Sequence, residues 1–476
     1  SHGGRMRLRY IAVSLLCLAA ANAGAQAGRK AQAGKSPELR VDYTKETLPN
    51  GLNVIYHVDH STPVAAVLLW YNVGSKVEQP GKTGFAHLFE HMMFQGSKNV
   101  GKGQHFALLE AAGGRGGADI NGTTNWDRTN YFEQLPSNQL ELALWLEADR
   151  MGTLLEAMDQ AKLDNQREVV KNERRQSIDN QPYGTWPEKM EEALFPEGHP
   201  YHHDVIGSMT DLSAASLTDV ENFFKTYYAP NNAVLVVAGD IDVPQAKQLV
   251  RKYFGPIPRG PKVPPLANMR LPEIVGHQQR YVIVDSQIPA PAIYVGYRVP
   301  SAKDSRAPVV SLLGDVMGGG RSSRLYDALV RRQQVATSVA GFNFGLADGA
   351  DMLVFTATGK PGSNPDSLEV ALLAELAGAS SFTQGELERA RASERFAFVN
   401  GLQTTGGFGG RADRLAEGWT FFHDPNYVNT VLDEYDRVSL NDLNALAREQ
   451  IVPANRVVLI YVPPKKPASP TTPRAP

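Results

Sequence analysis

Cysteine is all but absent. Cys17 is the only one in 476 residues, and it lies inside a short apolar run near the amino end. A disulfide framework and a thiolate-ligated metal are therefore excluded, and the chain needs no reducing compartment. Excess charge of one sign is missing as well. Lys and Arg number 48 against 50 acids, a net charge of −2, so nothing argues for nucleic acid or an anionic membrane as partner. No apolar stretch approaches the ~20 residues of a membrane-spanning helix. The apolar run, residues 10–21, follows Arg7 and Arg9 and precedes the small residues Ala23-Gly24-Ala25. Residues 1–25 thus read as a secretory signal peptide, with Met6 as initiator. Cleavage would remove three arginines, move the net charge from −2 to −5 and leave no thiol. The expected location is the periplasm, with no membrane attachment after cleavage.

The remaining composition, 42% hydrophobic and 21% charged, is that of a folded protein with more than one core. Strands are expected near 52–58, 64–73 and 234–239, and helices near 84–94, 104–112, 138–155 and 163–179. The chain also repeats itself at a displacement of 223. Ser216-Leu217-Thr218-Asp219-Val220 recurs as Ser439-Leu440-Asn441-Asp442-Leu443, and Pro230, Asn232 and Val234 recur as Pro453, Asn455 and Val457. Two halves with one α+β plan follow: mixed sheets packed with helices, an α/β sandwich in each half. The expected division is 37–254, a Pro-rich linker at 255–272, a second domain at 273–462 and a disordered tail at 463–476.

One short stretch carries chemistry. His87-Leu88-Phe89-Glu90-His91 places two imidazoles at i and i+4, on one helical face, with a carboxylate beside them. Two neutral His and a carboxylate form the usual protein ligand set of a hydrolytic zinc site. Zinc lowers the pKa of a water toward neutrality, and Glu90 is placed to take its proton as general base. The order inverts the better-known His-Glu-x-x-His helix. A third ligand is needed, and Glu147, Asp149, Glu156, Glu168 and Glu173 are all candidates. The second half has no copy of the motif. The shifted positions are Val310, Leu313 and Gly314, and no His lies between His277 and His423.

The flanks of this motif, Gly84-Phe85-Ala86 before it and Met92-Met93-Phe94-Gln95-Gly96 after it, resemble the pitrilysin/insulinase/mitochondrial-processing-peptidase family of zinc endopeptidases. So do Asn121-Gly122-Thr123-Thr124, the stretches 142–151 and 167–184, Gly198-His199-Pro200-Tyr201 and Gly318-Gly319-Gly320-Arg321-Ser322-Ser323. The resemblance spans residues 40–462. It implies a chain that folds as half of a clamshell, cleaves peptides in a chamber and holds one zinc ion through His87, His91 and Glu173, with Glu90 catalytic. It also implies that substrate lies along an edge strand at Asn121 and Gly122. Gln166 stands where relatives carry a carboxylate beside the ligands, and Glu168 is the runner-up ligand or a neighbour of the first shell. Active relatives carry an Arg and a Tyr in the second half that reach the substrate. Here those positions are Val330 and Thr337. Either a homologous second subunit supplies the missing pair, as in the family's heterodimers, or the chain alone is a weak enzyme. A non-catalytic core or assembly subunit is the alternative class.

Overall fold

A computed structural model describes residues 40–266 and 269–464. The expected signal peptide, Cys17 and positions 465–476 of the expected tail lie outside them. The first half contains β1 (Thr44–Thr47), β2 (Asn53–Val58), β3 (Val64–Tyr71), β4 (Ile120–Thr124), β5 (Thr129–Pro136) and β6 (Ala233–Gly239). The second contains β7 (Gln279–Val284), β8 (Ala292–Val299), β9 (Ser338–Asn343), β10 (Asp351–Thr358) and β11 (Arg456–Val462).

The first sheet runs β1-β2-β6-β3-β5-β4 and the second β7-β11-β8-β10-β9. Set β1 aside and the two orders correspond strand for strand. Each has one parallel pair, β2 with β6 and β7 with β11, and is otherwise antiparallel. The repeat seen in the sequence is thus a repeat of topology. Both copies of the Ser-Leu-x-Asp stretch form capping boxes, in which Ser216 and Ser439 bond the third backbone N–H of their helices and Asp219 and Asp442 bond back.

The β6 run Ala-Val-Leu-Val-Val-Ala-Gly is buried on both faces, as its unbroken apolar sequence requires. Leu235 and Val237 face a core shared with helices α1 (Phe85–Met92), α2 (Gln104–Ala111), α3 (Leu140–Thr153) and α4 (Gln160–Arg174). Val234, Val236 and Ala238 face Leu402, Ala412, Leu415 and Ala416, which come from the far end of the chain. The exchange is reciprocal. Helix α5 (Trp186–Leu194) packs Met190 and Leu194 on the second sheet with Tyr294, Val457 and Tyr461. The helix Arg411–Phe422 takes the corresponding place on the first.

The halves are therefore joined by more than chain continuity. Lys76 lies buried between Asp127 at 2.8 Å and Asp348 of the second half at 2.7 Å. The stretch 255–272 between the two sheets is pinned at its start by Asn50, whose side chain donates to Phe254 O and Ile257 O. Arg298 donates to Pro272 O at its end.

Candidate metal centre

Helix α1 is amphipathic at helical spacing. Phe85, Leu88, Phe89 and Met92 enter the first core, which leaves His87, Glu90 and His91 together on the remaining face. The two imidazole rings sit edge to face, with centroids 4.8 Å apart. Packed beside them is α4, and Glu173 from its last turn brings one carboxylate oxygen to 3.3 Å from His91 Nε2 and 3.7 Å from His87 Nε2. Two turns earlier on the same face, buried Gln166 bonds His91. Glu90 is buried, and its Oε2 accepts a 2.7 Å hydrogen bond from Thr124 Oγ1.

Helices α1 and α4 are registered against each other by one loop. Gly207 lies so close to Gly84 that a Cβ on it would sit 2.3 Å from Gly84 N. Arg174, next to Glu173, donates to Gly207 O at 2.8 Å and pairs with Glu188 and Asp204.

Electrostatics suit a cation. Burial pulls His87 down to about 4, helped by neighbouring His91, so its imidazole is neutral with a lone pair free. Burial also works against a charged His91, but the bond to Glu173, the nearby Glu90 and Glu173 carboxylates and the Gln166 bond together outweigh it and raise the group. Burial raises Glu90, opposed by the Thr124 bond. Glu173 is lowered, because bonding to His91 and the nearby imidazoles outweighs burial. Two Nε2 atoms converge on one carboxylate oxygen, and neutral nitrogen with carboxylate oxygen is the donor set zinc prefers. The residues fit that ion. His87 Nδ1 is buried without a hydrogen-bond partner among the described residues.

The centre opens into a cavity of about 550 Å³ lined also by Phe94, Phe106, Asn121 and Gly122. These last two lie on β4, the end strand of the first sheet, which among the described residues has β5 on one side only. Asn121 Oδ1 accepts from the Gly122 N–H.

Other expected residues lie elsewhere. Glu168 is not brought to the centre. It sits five positions, about 140° of helical turn, from Glu173, and its 60% exposed side chain pairs with Lys171. Asp149 accepts from Ser97 and Asn99, and Glu156 faces solvent beside Lys98. Glu147 forms a second buried cluster with Glu133 and His105, but the Arg150 guanidinium pairs with both carboxylates and already supplies the cation. Val330 packs against the second core, and Thr337 Oγ1 donates to Thr358 O at 3.1 Å. Neither lines the cavity.

Two contributors were not singled out by sequence reasoning. Thr124 shares a strand face with Gly122 through the two-residue period, and Phe106 is an aromatic on a short helix. Thr124 falls within the stretch 121–124 that carries the family resemblance but had no task assigned to it, and only the packing of β4 and α2 against α1 brings the two residues to the centre.

Comparison with known proteins bears on the family and the fold. Residues 53–199 match the family model described as insulinase, peptidase family M16, and residues 214–394 match the one described as peptidase M16 inactive domain. The zinc protease PqqE of Helicobacter pylori is 30% identical over 376 residues, 78% of this chain and 83% of its own length. The crystal structure of a protease from Helicobacter pylori superposes with a TM-score of 0.80 at 27% identity, covering 89% of this chain and 100% of that one. The periplasmic protease PqqL of Escherichia coli superposes with a TM-score of 0.70 at 20% identity, over 89% of this chain and 48% of that one.

Proposed function

This chain belongs to the insulinase family of M16 peptidases, and from that premise we propose that it is an exported zinc-dependent endopeptidase. The observation that carries the reading is the convergence of His87, His91 and Glu173 on one point, with Glu90 beside it and held by Thr124.

His87, His91 and Glu173 would hold one zinc ion. Zinc bound there supplies a Lewis acid that polarises a carbonyl and lowers the pKa of a water toward neutrality. Glu90 takes the proton of the attacking water and delivers it to the amine released when the peptide bond breaks. Thr124 keeps one Glu90 oxygen occupied, so the other is the one that moves the proton. An extended peptide adds to the open edge of β4, where its backbone can replace the Asn121 side chain as partner of the Gly122 N–H. Recognition through backbone favours broad sequence tolerance, and Phe94 and Phe106 offer an apolar wall to one side chain.

We infer a homologous second subunit as partner. The support is that Val330 and Thr337 are engaged within their own half, that the cavity lining comes from the first half alone, and that a single chain matches about half of PqqL. The periplasm is the proposed location, in keeping with the name given to PqqL. The same observations favour, as a second reading, a subunit that contributes to assembly and has little activity of its own.

The test is cleavage of a quenched-fluorescent peptide pool by residues 26–476 alone, with bound metal assayed on the same sample. Stoichiometric zinc with chelator-sensitive turnover that Glu90→Gln abolishes supports the peptidase and removes the need for a partner. Stoichiometric zinc without turnover supports the paired assembly. A folded chain that takes up no zinc overturns the metallopeptidase reading.

A further inference from the structure

The first turn of α1 carries His87, yet it has no cap of its own. The residue before the helix, Gly84, has φ of +86° and no side chain to accept from the exposed backbone N–H groups. No other residue fits there. A Cβ on Gly84 would lie 2.4 Å from Ile206 O and 3.0 Å from Gly207 Cα, so the Ser, Thr, Asp or Asn that normally caps a helix is sterically barred.

Glu78, six residues upstream, fills the gap. Its side chain is wholly enclosed. Oε2 accepts from Gly84 N at 2.9 Å and Oε1 from Ala86 N at 2.7 Å. One carboxyl group thus serves two N–H groups of a helix start, and these two bonds oppose the burial that pushes Glu78 well above the ordinary carboxyl range. Glu78 is itself fixed in place. It follows the turn Ser75–Val77, where Lys76 is clamped between Asp127 and Asp348. On the other side of the turn, Thr83 bonds Asp211 through both its N–H and its hydroxyl.

We propose that Glu78 is a positioning residue for the metal centre. By closing the first turn of α1 from outside the helix, it fixes the direction of His87, which follows Ala86 directly. It touches neither the ligands nor the substrate. This inference rests on the peptidase reading, since it concerns the same centre. His91 and Glu90 lie one turn further along, beyond the reach of a frayed first turn. Loss of Glu78 therefore weakens one ligand rather than the whole set.

The experiment compares wild type, Glu78→Gln and Glu78→Ala by zinc competition against a chromophoric chelator, by thermal melting of the metal-free proteins, and by peptide cleavage at limiting and excess zinc. Glu78→Gln keeps the volume and one acceptor but turns an N–H donor toward the helix start. It provides the reading if Glu78→Ala does not fold. The expected result is zinc affinity roughly ten- to a hundredfold weaker in the folded variants, as for other residues that orient ligands. Cleavage lost at limiting zinc should return at excess zinc. A lowered melting temperature with unchanged zinc affinity overturns the proposal and leaves Glu78 a fold-stabilising residue only. Wild type that binds no zinc overturns the peptidase reading, and this inference falls with it.

Discussion

Thr124 Oγ1 donates to Glu90 Oε2 at 2.7 Å, and this bond ties the proposed general base to the strand on which the substrate would lie. One hydroxyl thus couples the two halves of the reaction: where the peptide sits and where the proton goes. A hydrogen bond to a charged group contributes about 1.5–3 kcal/mol, roughly ten- to a hundredfold in rate. Thr124→Val should lower kcat by that factor, with zinc content unchanged and KM little altered. Steady-state kinetics beside a metal assay check it, and a variant with wild-type kcat would dismiss the role.

Gln166 supports His91 without charge. Gln166→Glu restores a carboxylate behind the ligand and should tighten zinc binding by about tenfold, whereas Gln166→Leu should weaken it by roughly ten- to a hundredfold. Chelator competition measures both. Equal affinities across the three proteins would mean that this position does not tune the metal.

Lys76 joins the halves through two carboxylates, and its removal leaves Asp127 buried without its cation. Lys76→Met should cost about 3–5 kcal/mol, toward the lower end because Asp348 is partly solvated. Urea unfolding gives the number. Adding Asp127→Asn to Lys76→Met should recover part of it, because the two changes act on one pair.

Acid should act through Glu386. Burial pushes this carboxyl up, but its bonds to Arg324 and to Thr383 outweigh that and hold it at about 2 instead of the ordinary 4.5. A folded value below the unfolded one means stability that is present above about 4.5 and lost as pH falls toward 2. Melting temperature measured across that window should fall less steeply in Glu386→Gln than in wild type. Parallel acid slopes would assign the loss to other carboxylates.

The proposed centre was legible to an uneven degree. His87, Glu90 and His91 are close in sequence, so helical periodicity alone puts them on one face. Glu173 could be chosen among five acids only through resemblance, because a ligand on another helix has no local signal. Its last-turn place on α4 is what brings it within 3.7 Å of both imidazoles, while Glu168 on the same helix points to solvent. Val330 and Thr337 were visible as departures, and packing then gave them structural partners.

By itself the sequence determined the two-fold repeat, three strands and four helices of the first half, and the motif of α1, because each depends on side-chain period or on residues within one turn. The tertiary structure alone decided the exchange of helices between the sheets, the Thr124 bond to Glu90 and the Glu78 cap of α1. These depend on pairs brought together by chain reversal, and residues 34 apart leave no periodic trace of their meeting. Glu78 shows the same division within a single turn. Gly84 marks a helix start in the sequence, but only the approach of the Ile206-Gly207 backbone bars a local cap and makes an upstream carboxylate necessary.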